Sequence, residues 1–469
     1  MSLNEYINAI EQILKNCEDL IVYRGDFDNA SVAIIFMRGI TSRDYIAERI
    51  LKPLKRGDLD NFNGSFCDIL ESPFLSESVS PEIDASSIVK GDALVLIERE
   101  GTLYKSLANA ATMPSRAVTE PTSDITIRGP KAGFIEDAET NISLLRRYIR
   151  TSRFKTERFC IGDISQTKVF LCYLDDRADA ETVDTIRKRL SGIKASVITD
   201  STNIQQLLDG RKNAVLPSCG SSEKVDKVAS KLMSGRIAII VDGSPFVLTL
   251  PFLFIEGLQS ADDYLHTPYY ATFIRLLRCI AFLASIFAPG ILCAVINHNQ
   301  GILPYEFFGL ITESRRDIPL SFFWEIFAIL MLFEILREVG VRMPRTVGDA
   351  VGIVGSIILG NTAVEAGIVS SIGVITVAFS AVCAFITPAY MYFILIARII
   401  ALVMAEILGV VGIILTAVTL FLMICLKRSF SFYYLQPIIP FSSRGMLDFV
   451  LCCPKRTLGR REVLKKKKK

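Results

Sequence analysis

SVAIIFMRGITSRDYIAERILKPL at residues 31–54 and TKVFLCYLDDRADAETVDTIRKRL at residues 167–190 align without a gap. Each segment opens with a short apolar run rich in β-branched residues, turns through polar residues and continues with apolar positions at helical spacing. The apolar run is typical of a buried strand, and the helical spacing indicates an amphipathic helix. The two segments therefore predict the same strand–helix unit, present twice in the chain.

A second pair of segments follows in the same order. SIVKGDALVLIEREGTLYKSL (87–107) and KLMSGRIAIIVDGSPFVLTL (231–250) both predict the end of a helix followed by two strands joined by a tight turn. Gly91 and Gly235 stand where a residue in the left-handed conformation would end the helix. We therefore predict two α/β subdomains separated by a linker and helix. The predicted bounds are 1–114 and 151–255 for the subdomains and 115–150 for the linker and helix.

The composition changes after about Arg278. Charged residues make up 22% of the 469 residues, yet they are sparse from Cys279 to Leu426, and the mean hydropathy of the whole chain is +0.39. This contrast predicts a cytosolic α/β tandem followed by a polytopic α-helical membrane domain at 256–430 and a basic cytosolic tail at 431–469. The N-terminus has no basic region followed by an apolar core, so we expect no cleavable signal.

Four apolar stretches are candidate membrane spans: 279–296, 319–335, 368–386 and 391–426. A straight helix over 391–426 would be about 54 Å long against a bilayer core of about 30 Å, so this stretch must bend, lie partly at the interface or form two spans. The Gly-rich stretch 350–362 is interpreted as a short, re-entrant half-helix. The distribution of basic residues favours four crossings plus this re-entrant element, and five or six crossings stay open.

Three polar side chains in the apolar part are candidates for lining a pore or a polar cavity: Glu325, Asn361 and Glu365. Ionisable groups are costly in a bilayer and mark functional sites by default. Glu325 has no oppositely charged partner at helical spacing. Asn361 and Glu365 lie four residues apart beside a helix break, where a polar cavity and an interfacial turn are both compatible with the spacing. Glu334 lies three residues before Arg337, which predicts an interfacial ion pair.

No residue pattern in the sequence is typical of an enzyme. There is no Gly-rich phosphate loop, nucleophile elbow or CxxC pair, and neither His266 nor His298 stands beside a plausible nucleophile. We therefore expect no enzymatic activity, catalytic residue, metal or cofactor. The tail KRTLGRREVLKKKKK (455–469) carries nine basic residues and one acidic residue, which favours contact with anionic membrane lipids over nucleic acid.

The segment SRAVTEPTSDITIRGPKAGFIEDAETNISLLRRYIR (115–150) resembles the signature of the A subunits of the GerA family of spore germination receptors. That signature has a Glu-Pro pair, an acidic residue, Arg-Gly-Pro, Gly-Phe-x-Glu, an Asn and an Arg-rich helix. The matching positions are Glu120, Pro121, Asp124, Arg128, Gly129, Pro130, Gly133, Phe134, Glu136, Asn141, Arg146 and Arg147. The family commonly has Glu where this chain has Asp124. Segments 235–251, 260–278 and 342–370 extend the resemblance, which covers about residues 20–450.

The resemblance implies two thioredoxin-like cytosolic subdomains and a multi-pass protein of the spore inner membrane with a cytosolic N-terminal domain. It implies a transporter-like B subunit and a lipoprotein C subunit as partners. Nucleic acid is not expected as a partner. It also implies self-association as a homo-oligomer, expected to be a pentamer, that forms a nutrient-gated ion channel and triggers germination. An accessory spore-membrane channel protein of the related SpoVAF type and a secondary transporter are the alternatives.

The signature segment itself has two interpretations. Charge density predicts ion pairs of Arg128, Arg146 or Arg147 with the acidic signature residues, within one subunit or between neighbours. One interpretation is an assembly joint that transmits a change of state to the channel. The other is a rigid brace between the subdomains.

Overall fold

The computed structural model of the protein contains two five-stranded antiparallel sheets followed by a bundle of helices. It describes residues 1–27, 30–56, 65–70, 72, 75–112, 130–209, 215–260, 262–263, 266–316, 318–342 and 360–441. Some predictions lie outside the described residues. These are the roles of Glu120, Pro121, Asp124, Arg128 and Gly129, most of the predicted half-helix 350–362, and the basic tail from 442 onward.

The first sheet has five strands in the spatial order β1-β2-β4-β5-β3. The strands are β1 (Leu20–Phe27), β2 (Ala30–Met37), β3 (Leu75–Glu77), β4 (Ala93–Arg99) and β5 (Thr102–Ala108). One face packs on helices α1 (Leu3–Ile13) and α3 (Pro81–Lys90). The other face packs on a helical segment, α2, made of the consecutive pieces Arg43–Tyr45, Ile46–Leu51 and Lys52–Arg56. Successive residues of β2 contribute to the two apolar clusters in turn, as the period of a strand requires.

The second sheet repeats this arrangement with the order β6-β7-β9-β10-β8. Its strands are β6 (Phe154–Ile161), β7 (Thr167–Leu174), β8 (Gly220–Ser222), β9 (Ile237–Val241) and β10 (Val247–Leu250). Helices α4 (Ala138–Tyr148) and α7 (Val225–Met233) cover one face, and α5 (Ala180–Ser191) and α6 (Ser201–Asp209) cover the other.

The equal strand order of the two sheets confirms that the α/β unit is present twice. The predicted helix ends are also confirmed, since Gly91 and Gly235 have φ values of +112° and +89°. A side chain at either glycine would adopt a strained backbone conformation. The thioredoxin-like character that the family resemblance implies stays a prediction.

The helical part contains α8 (Pro268–Asn297), α9 (Tyr305–Ser314), α10 (Phe322–Arg342), α11 (Gly360–Glu365), α12 (Ser371–Phe385) and α13 (Met391–Leu426). Two short strands, β11 (Arg428–Ser429) and β12 (Phe432–Tyr433), follow. Among the described residues, two helical stretches are long and apolar enough to cross a membrane, Pro268–Asn297 and Pro388–Leu426.

Helix α13 reverses direction at Gly409, whose φ and ψ are 61° and −140°. Phe393 and Ile424 belong to one apolar cluster, although thirty-one residues of straight helix would separate them by about 46 Å. The Met404 carbonyl oxygen also lies against Gly412. Residues 391–408 and 410–426 therefore form a helical hairpin. The sequence left a bend, an interfacial part and two spans open for this stretch. The structure shows two antiparallel helices.

The helical bundle has two distinguishable ends. At the near end, Tyr390 and Tyr434 pack with Phe254 next to the second sheet. At the far end, the hairpin turn at Gly409 lies against His298. Helix α8 and residues 391–408 run side by side from the near end to the far end. Helices α10 and α12 are parallel to each other, because Glu325 and Ser370 meet at their first turns and Phe333 and Phe385 meet further along. They run opposite to α8, because Phe322 and Val377 cluster with Ile296 at the far end, whereas Ala384 clusters with Phe254 at the near end.

Candidate functional site

The described part of the signature segment is built into the second subdomain. Gly133 forms an antiparallel bridge with Lys224, and the Phe134 amide donates to the Glu223 carbonyl oxygen at 2.8 Å. The Phe134 ring is buried in the cluster beneath α4 and α7. Pro130, Glu136 and Arg147 are exposed, and the Glu136 carbonyl accepts from the Gly243 amide. The segment is therefore an integral part of the subdomain rather than a loose linker.

Asn141 shapes the turn that leads into α4. Its side-chain oxygen accepts from the Ile135 amide at 2.9 Å, and its side-chain nitrogen donates to the Ile135 carbonyl at 2.6 Å. The residue is fully buried. Asparagine suits this position because a single side chain supplies both a donor and an acceptor. Asp137 completes the helix start by accepting from the Thr140 amide.

We expect Asn141→Ala to lower the free energy of unfolding by about 1–3 kcal/mol, because two buried backbone groups of Ile135 lose their partner. The measurement is denaturant unfolding of the purified full-length protein. Asn109→Ala is the matched control, since Asn109 is exposed and accepts one hydrogen bond from the Ala111 amide. Equal losses for the two variants would contradict this role.

Arg146 of α4 connects the two subdomains. Its Nε and Nη2 donate to the two carboxylate oxygens of Asp19 at 2.6 and 2.9 Å, and Thr156 of β6 donates to the same carboxylate at 2.9 Å. All three side chains are buried. Burial opposes ionisation of Asp19, but the charge and hydrogen bonds of Arg146 outweigh it and lower the pKa of Asp19. Among the described residues, the acidic partner of Arg146 is Asp19, which lies outside the signature segment.

Further polar contacts surround this ion pair. Thr156 exchanges backbone hydrogen bonds with residues 16 and 18 at 2.8 and 3.1 Å, so the chain before β1 runs alongside β6. Glu139 of α4 pairs with Arg38 of the first subdomain at 3.0 Å and with Lys168 of the second at 3.4 Å. We call the pair Arg146–Asp19 with Thr156 and Glu139 the subdomain clamp. It joins the subdomains through charge-assisted contacts, which demand specific geometry.

The second subdomain is joined to the bundle by an aromatic cluster. Phe254, in the short helix Phe254–Gly257, stacks on Tyr390 with ring centroids 5.1 Å apart, and the Tyr390 hydroxyl donates to the Phe254 carbonyl. The Tyr390 ring also lies directly over Gly257, where a Cβ atom would collide with it. We call the cluster the aromatic junction. Its members are Phe252, Phe254, Phe282, Tyr390, Phe393 and Tyr434.

A largely buried charge triad lies beside the aromatic junction. Glu256 pairs with Arg236 at 2.6 Å and with Lys231 at 3.0 Å. Burial lowers the pKa of Lys231, with Glu256 acting in the opposite direction. Burial also opposes ionisation of Glu256, but Arg236 and Lys231 outweigh it and lower the pKa of Glu256. The triad anchors the start of the connection to the bundle on α7 and on the residue that precedes β9.

The chain that leaves α13 returns to the same subdomain. The Ser429 hydroxyl donates to the Ser218 carbonyl at 2.9 Å and accepts from the Phe252 amide at 3.2 Å. The Phe254 amide donates to the Tyr434 carbonyl at 2.9 Å. Both the entrance to the bundle and the exit from it are therefore bonded to the second subdomain.

A buried arginine lies inside the bundle. Pro289 of α8 has no N–H, so the Ser285 carbonyl four residues earlier lacks its helical donor. Arg398 Nε donates to this carbonyl at 2.8 Å, and the Ser380 hydroxyl donates to it at 2.9 Å. The three groups connect α8, α12 and α13. Side chains from neighbouring helices thus replace the helical hydrogen bond that is missing at Pro289, as buried membrane segments require.

Glu325 is also paired, although its helical neighbours offer no partner. Its carboxylate accepts from the Ser370 amide at 2.8 Å at the start of α12 and lies 3.4 Å from Arg315 Nε. It is fully buried. Asn361 and Glu365 are exposed on α11. The structure therefore does not bring the three pore candidates together within one chain. The Glu334–Arg337 ion pair is confirmed, at 2.6 Å.

Comparison with known proteins covers both parts of the chain. A family model described as Bacillus/Clostridium GerA spore germination protein matches residues 8–464. The chain is 33% identical over 462 residues to spore germination protein KA of Bacillus subtilis (strain 168), covering 97% of this chain and 85% of that protein. It is 31% identical over 466 residues to the uncharacterized membrane protein YfkQ of the same strain, covering 98% and 90%. It also resembles the crystal structure of the N-terminal domain of the A subunit of the Bacillus megaterium spore germinant receptor GerK3. That likeness has 25% identity and a TM-score of 0.40 and covers 54% of this chain and 95% of that one.

Proposed function

Because this chain belongs to the GerA family of spore germination proteins, we propose that it is the A subunit of a nutrient germinant receptor in the spore inner membrane. The family match over residues 8–464 is the observation that carries the proposal, since it includes both the sheets and the helical bundle. We assign the protein a receptor role without catalysis, with a transporter-like B subunit and a lipoprotein C subunit as partners.

The directions of the described helices support at least five membrane crossings with both termini of the bundle in the cytosol. Helix α8, α10, α12 and the two halves of α13 account for five. Arg342 ends α10 at the near end and Ser370 precedes α12 at the far end, and most residues between them lie outside the described part of the chain. Basic residues Arg337, Arg342 and Lys427 lie at the near end, beside the α/β subdomains, as cytosolic residues should. These directions favour the five or six crossings that the sequence left open over the four favoured by the distribution of charge.

Two details fit this orientation. Arg315 lies at the far end, although basic residues are expected mainly on the cytosolic side. Its charge is paired with the buried Glu325. Exposed aromatic side chains lie towards both ends of the bundle, with Tyr269 and Tyr392 near the α/β subdomains and Tyr305 at the far end. Tyrosine and tryptophan are enriched at both membrane interfaces. The bundle therefore presents aromatic residues at two levels and apolar side chains between them.

Gly409 is expected to be essential for this topology. Gly409→Ala places a side chain in a strained conformation, with its Cβ 2.9 Å from the His298 Cβ. We expect a loss of about 1–3 kcal/mol from backbone strain alone. The measurement is the thermal unfolding midpoint of the purified protein. Gly301→Ala is the control, because its Cβ would meet no atom within 4 Å. A variant as stable as the control would contradict the hairpin turn.

We propose that an ion pathway forms between copies of the chain rather than within one. The buried Arg398 and Glu325 are bonded inside the bundle, whereas Asn361 and Glu365 are exposed on its surface. Exposed polar side chains suit a water-filled axis shared between copies better than contact with lipid. The expected assembly is a homo-oligomer, with a pentamer as the first hypothesis. A monomeric mass for the detergent-solubilised protein would contradict this pathway.

The subdomain clamp and the aromatic junction lie on opposite sides of the second subdomain. Helix α4 carries Arg146 and Glu139 to the first subdomain, while Glu256 and Phe254 lead into the bundle. A movement of one subdomain can therefore reach the bundle through a packed, polar-bonded body. We propose that the signature segment transmits a change of state along this route.

Deletion of the gene in a spore-forming host tests the receptor role. We expect loss of germination with one class of nutrient and normal germination with unrelated nutrients, restored by the gene in trans. A uniform slowing with every nutrient would favour an accessory protein of the SpoVAF type. Ion conductance of the purified protein in planar bilayers tests the channel, and substrate counterflow without conductance would favour a secondary transporter.

A further inference from the structure

The joint between the two subdomains uses a different side of each repeated unit. The segment before β1 binds the outer edge of β6: the Thr156 amide donates to the Asn16 carbonyl at 2.8 Å, and the Glu18 amide donates to the Thr156 carbonyl at 3.1 Å. Thr156 is the third residue of β6, and Val22 is the third residue of β1. Because the unit is repeated, Val22 lies where an equivalent segment would bind the first subdomain.

Hydrogen bonds at the strand ends show that β1 and β6 have the same register. Just before β1, the Asp19 carbonyl accepts from the Arg38 amide at 2.7 Å. Just before β6, the Arg153 carbonyl accepts from the Asp175 amide at 3.0 Å. Successive residues of a strand direct their N–H and C=O groups to opposite edges, so those of Val22, three residues after Asp19, point away from β2. No hydrogen bond from a described residue reaches them. Such an edge is a template for pairing with another chain.

The second unit contains a free segment that matches this edge. Residues 150–152 precede β6 as residues 16–18 precede β1, and both segments end in the same turn, in which the first strand residue donates to the carbonyl three residues earlier at 3.2 Å. The Arg150 carbonyl and the Ser152 amide correspond to the two groups that bind β6 in the existing joint. Within the described part of the chain, neither group makes a hydrogen bond.

The helices before the two strands carry opposite charges at the matching position. Helices α1 and α4 have eleven residues each, and both bury their first, fourth, fifth and eighth residues. The ninth residue is Glu11 in α1 and Arg146 in α4. Arg146 is buried against Asp19, whereas Glu11 is exposed. Arg153 matches Asp19 in the backbone and is exposed as well. Glu11 and Arg153 are therefore complementary, with the charges of the existing ion pair reversed.

We propose that copies of the chain assemble head to tail through these free surfaces. Residues 150–152 of one copy bind the outer edge of β1 at Val22 of the next copy, and Arg153 pairs with Glu11 across the contact. The contact repeats between copies the joint that connects the subdomains within one copy. Because it uses two different surfaces, it continues from copy to copy and closes a ring when the rotation permits. It deepens the homo-oligomer of the proposed function and rests on it.

Forming this contact breaks no buried interaction. Arg153 is 65% exposed and pairs with Asp176 at 2.7 Å on the surface, where an ion pair contributes little to stability. Arg153 can therefore turn to Glu11 of a neighbouring copy at small cost, while the backbone groups at Val22 exchange water for a partner of the kind that Thr156 already has.

Cysteines at Val22 and Thr151 test the contact. In the existing joint the matching residues, Thr156 and Cys17, lie opposite each other as bridge partners. Oxidation of the full-length Val22→Cys, Thr151→Cys protein in detergent should give a ladder on a denaturing gel that extends beyond the dimer, because a head-to-tail contact continues. Each single variant is a control and should give no ladder. An intact oligomer without the ladder, or with one that stops at the dimer, would overturn the proposal.

Charge reversal tests the ion pair. Glu11→Arg and Arg153→Glu each place like charges at the contact, so each should raise the protein concentration at half assembly by about tenfold. The double variant should return close to the unsubstituted value, and Lys188→Glu, at an exposed position of α5, should leave it unchanged. The measurement is the mass of the detergent-solubilised protein on dilution. Weakening without recovery in the double variant, or no weakening by either single variant, would overturn the ion pair.

These experiments separate the contact from the proposed function. If the unsubstituted protein is monomeric at every concentration, the homo-oligomer and the contact are both wrong. If it is an oligomer that forms no ladder and does not respond to charge reversal, the contact alone is wrong.

Discussion

Asp19→Ala is expected to lower the free energy of unfolding by about 3–5 kcal/mol, since it leaves the buried guanidinium of Arg146 without its counter-ion. Arg146 is 1% exposed, and its guanidinium donates two hydrogen bonds to the carboxylate of Asp19. Thr156 loses its acceptor in the same substitution. Because the three residues come from both subdomains and from α4, we also expect the subdomains to separate in the variant.

The measurement is denaturant unfolding of the full-length protein in detergent, with limited proteolysis between the subdomains as a second readout. Asp176→Ala is the matched control, because Asp176 pairs with Arg153 at 2.7 Å on the surface. Exposed pairs contribute about 0–1 kcal/mol. If the two alanine variants lose the same stability, Arg146–Asp19 is not a clamp.

The clamp should also weaken in acid. The pKa of Asp19 is lowered in the folded protein, whereas an unfolded Asp titrates near about 3.9. Its contribution to stability is therefore fully present above pH 3.9 and is lost as the pH falls through the folded pKa. In the Asp19→Asn variant this part of the acid dependence should be absent. An unchanged acid profile in Asp19→Asn would show that other carboxylates dominate.

Glu256→Gln is the second substitution with a large expected effect, again about 3–5 kcal/mol. It leaves the largely buried cations of Lys231 and Arg236 close together without the carboxylate that pairs with both. Because Glu256 lies in the short helix next to Tyr390, we expect the aromatic junction to loosen and the bundle to lose its hold on the second subdomain.

The control for Glu256 is Glu18→Gln, whose carboxylate pairs with Arg158 at 3.7 Å while about half exposed. Lys231→Met in the Glu256→Gln background removes one of the two unpaired cations and should restore part of the stability. The free energies come from the same unfolding experiment. No rescue by Lys231→Met would mean that the loss arises from packing and not from unpaired charge.

Local patterns in the sequence were sufficient for the duplicated unit. Strand period, helix period and the positions of Gly91 and Gly235 depend on neighbours a few residues away, and the structure confirms each of them. The Glu334–Arg337 pair was predictable for the same reason, since its partners are three residues apart. The signature indicated that Arg146 is important. Its partner Asp19 is 127 residues away, and nothing in the sequence around Asp19 identifies it as that partner.

In the helical part, too, some features follow from the local sequence and others depend on tertiary contacts. The length and apolar character of residues 391–426 excluded a single straight span, because a helix has a fixed rise per residue and a bilayer a fixed thickness. The choice among the remaining arrangements depended on contacts between Phe393, Ile424 and the second subdomain. Likewise proline at 289 has no N–H to donate, but the replacement of that donor by Arg398 and Ser380 depends on the packing of three helices.

By itself, the sequence determined the repeated α/β unit, the division into charged and apolar parts and the family, because these depend on spacing along the chain. Tertiary structure alone decided which charges meet: Arg146 with Asp19, Glu256 with Lys231 and Arg236, and Glu325 with Arg315. The physical reason is that a buried charge must be compensated within a few ångströms of space, and in a folded chain that space is filled by residues remote in sequence.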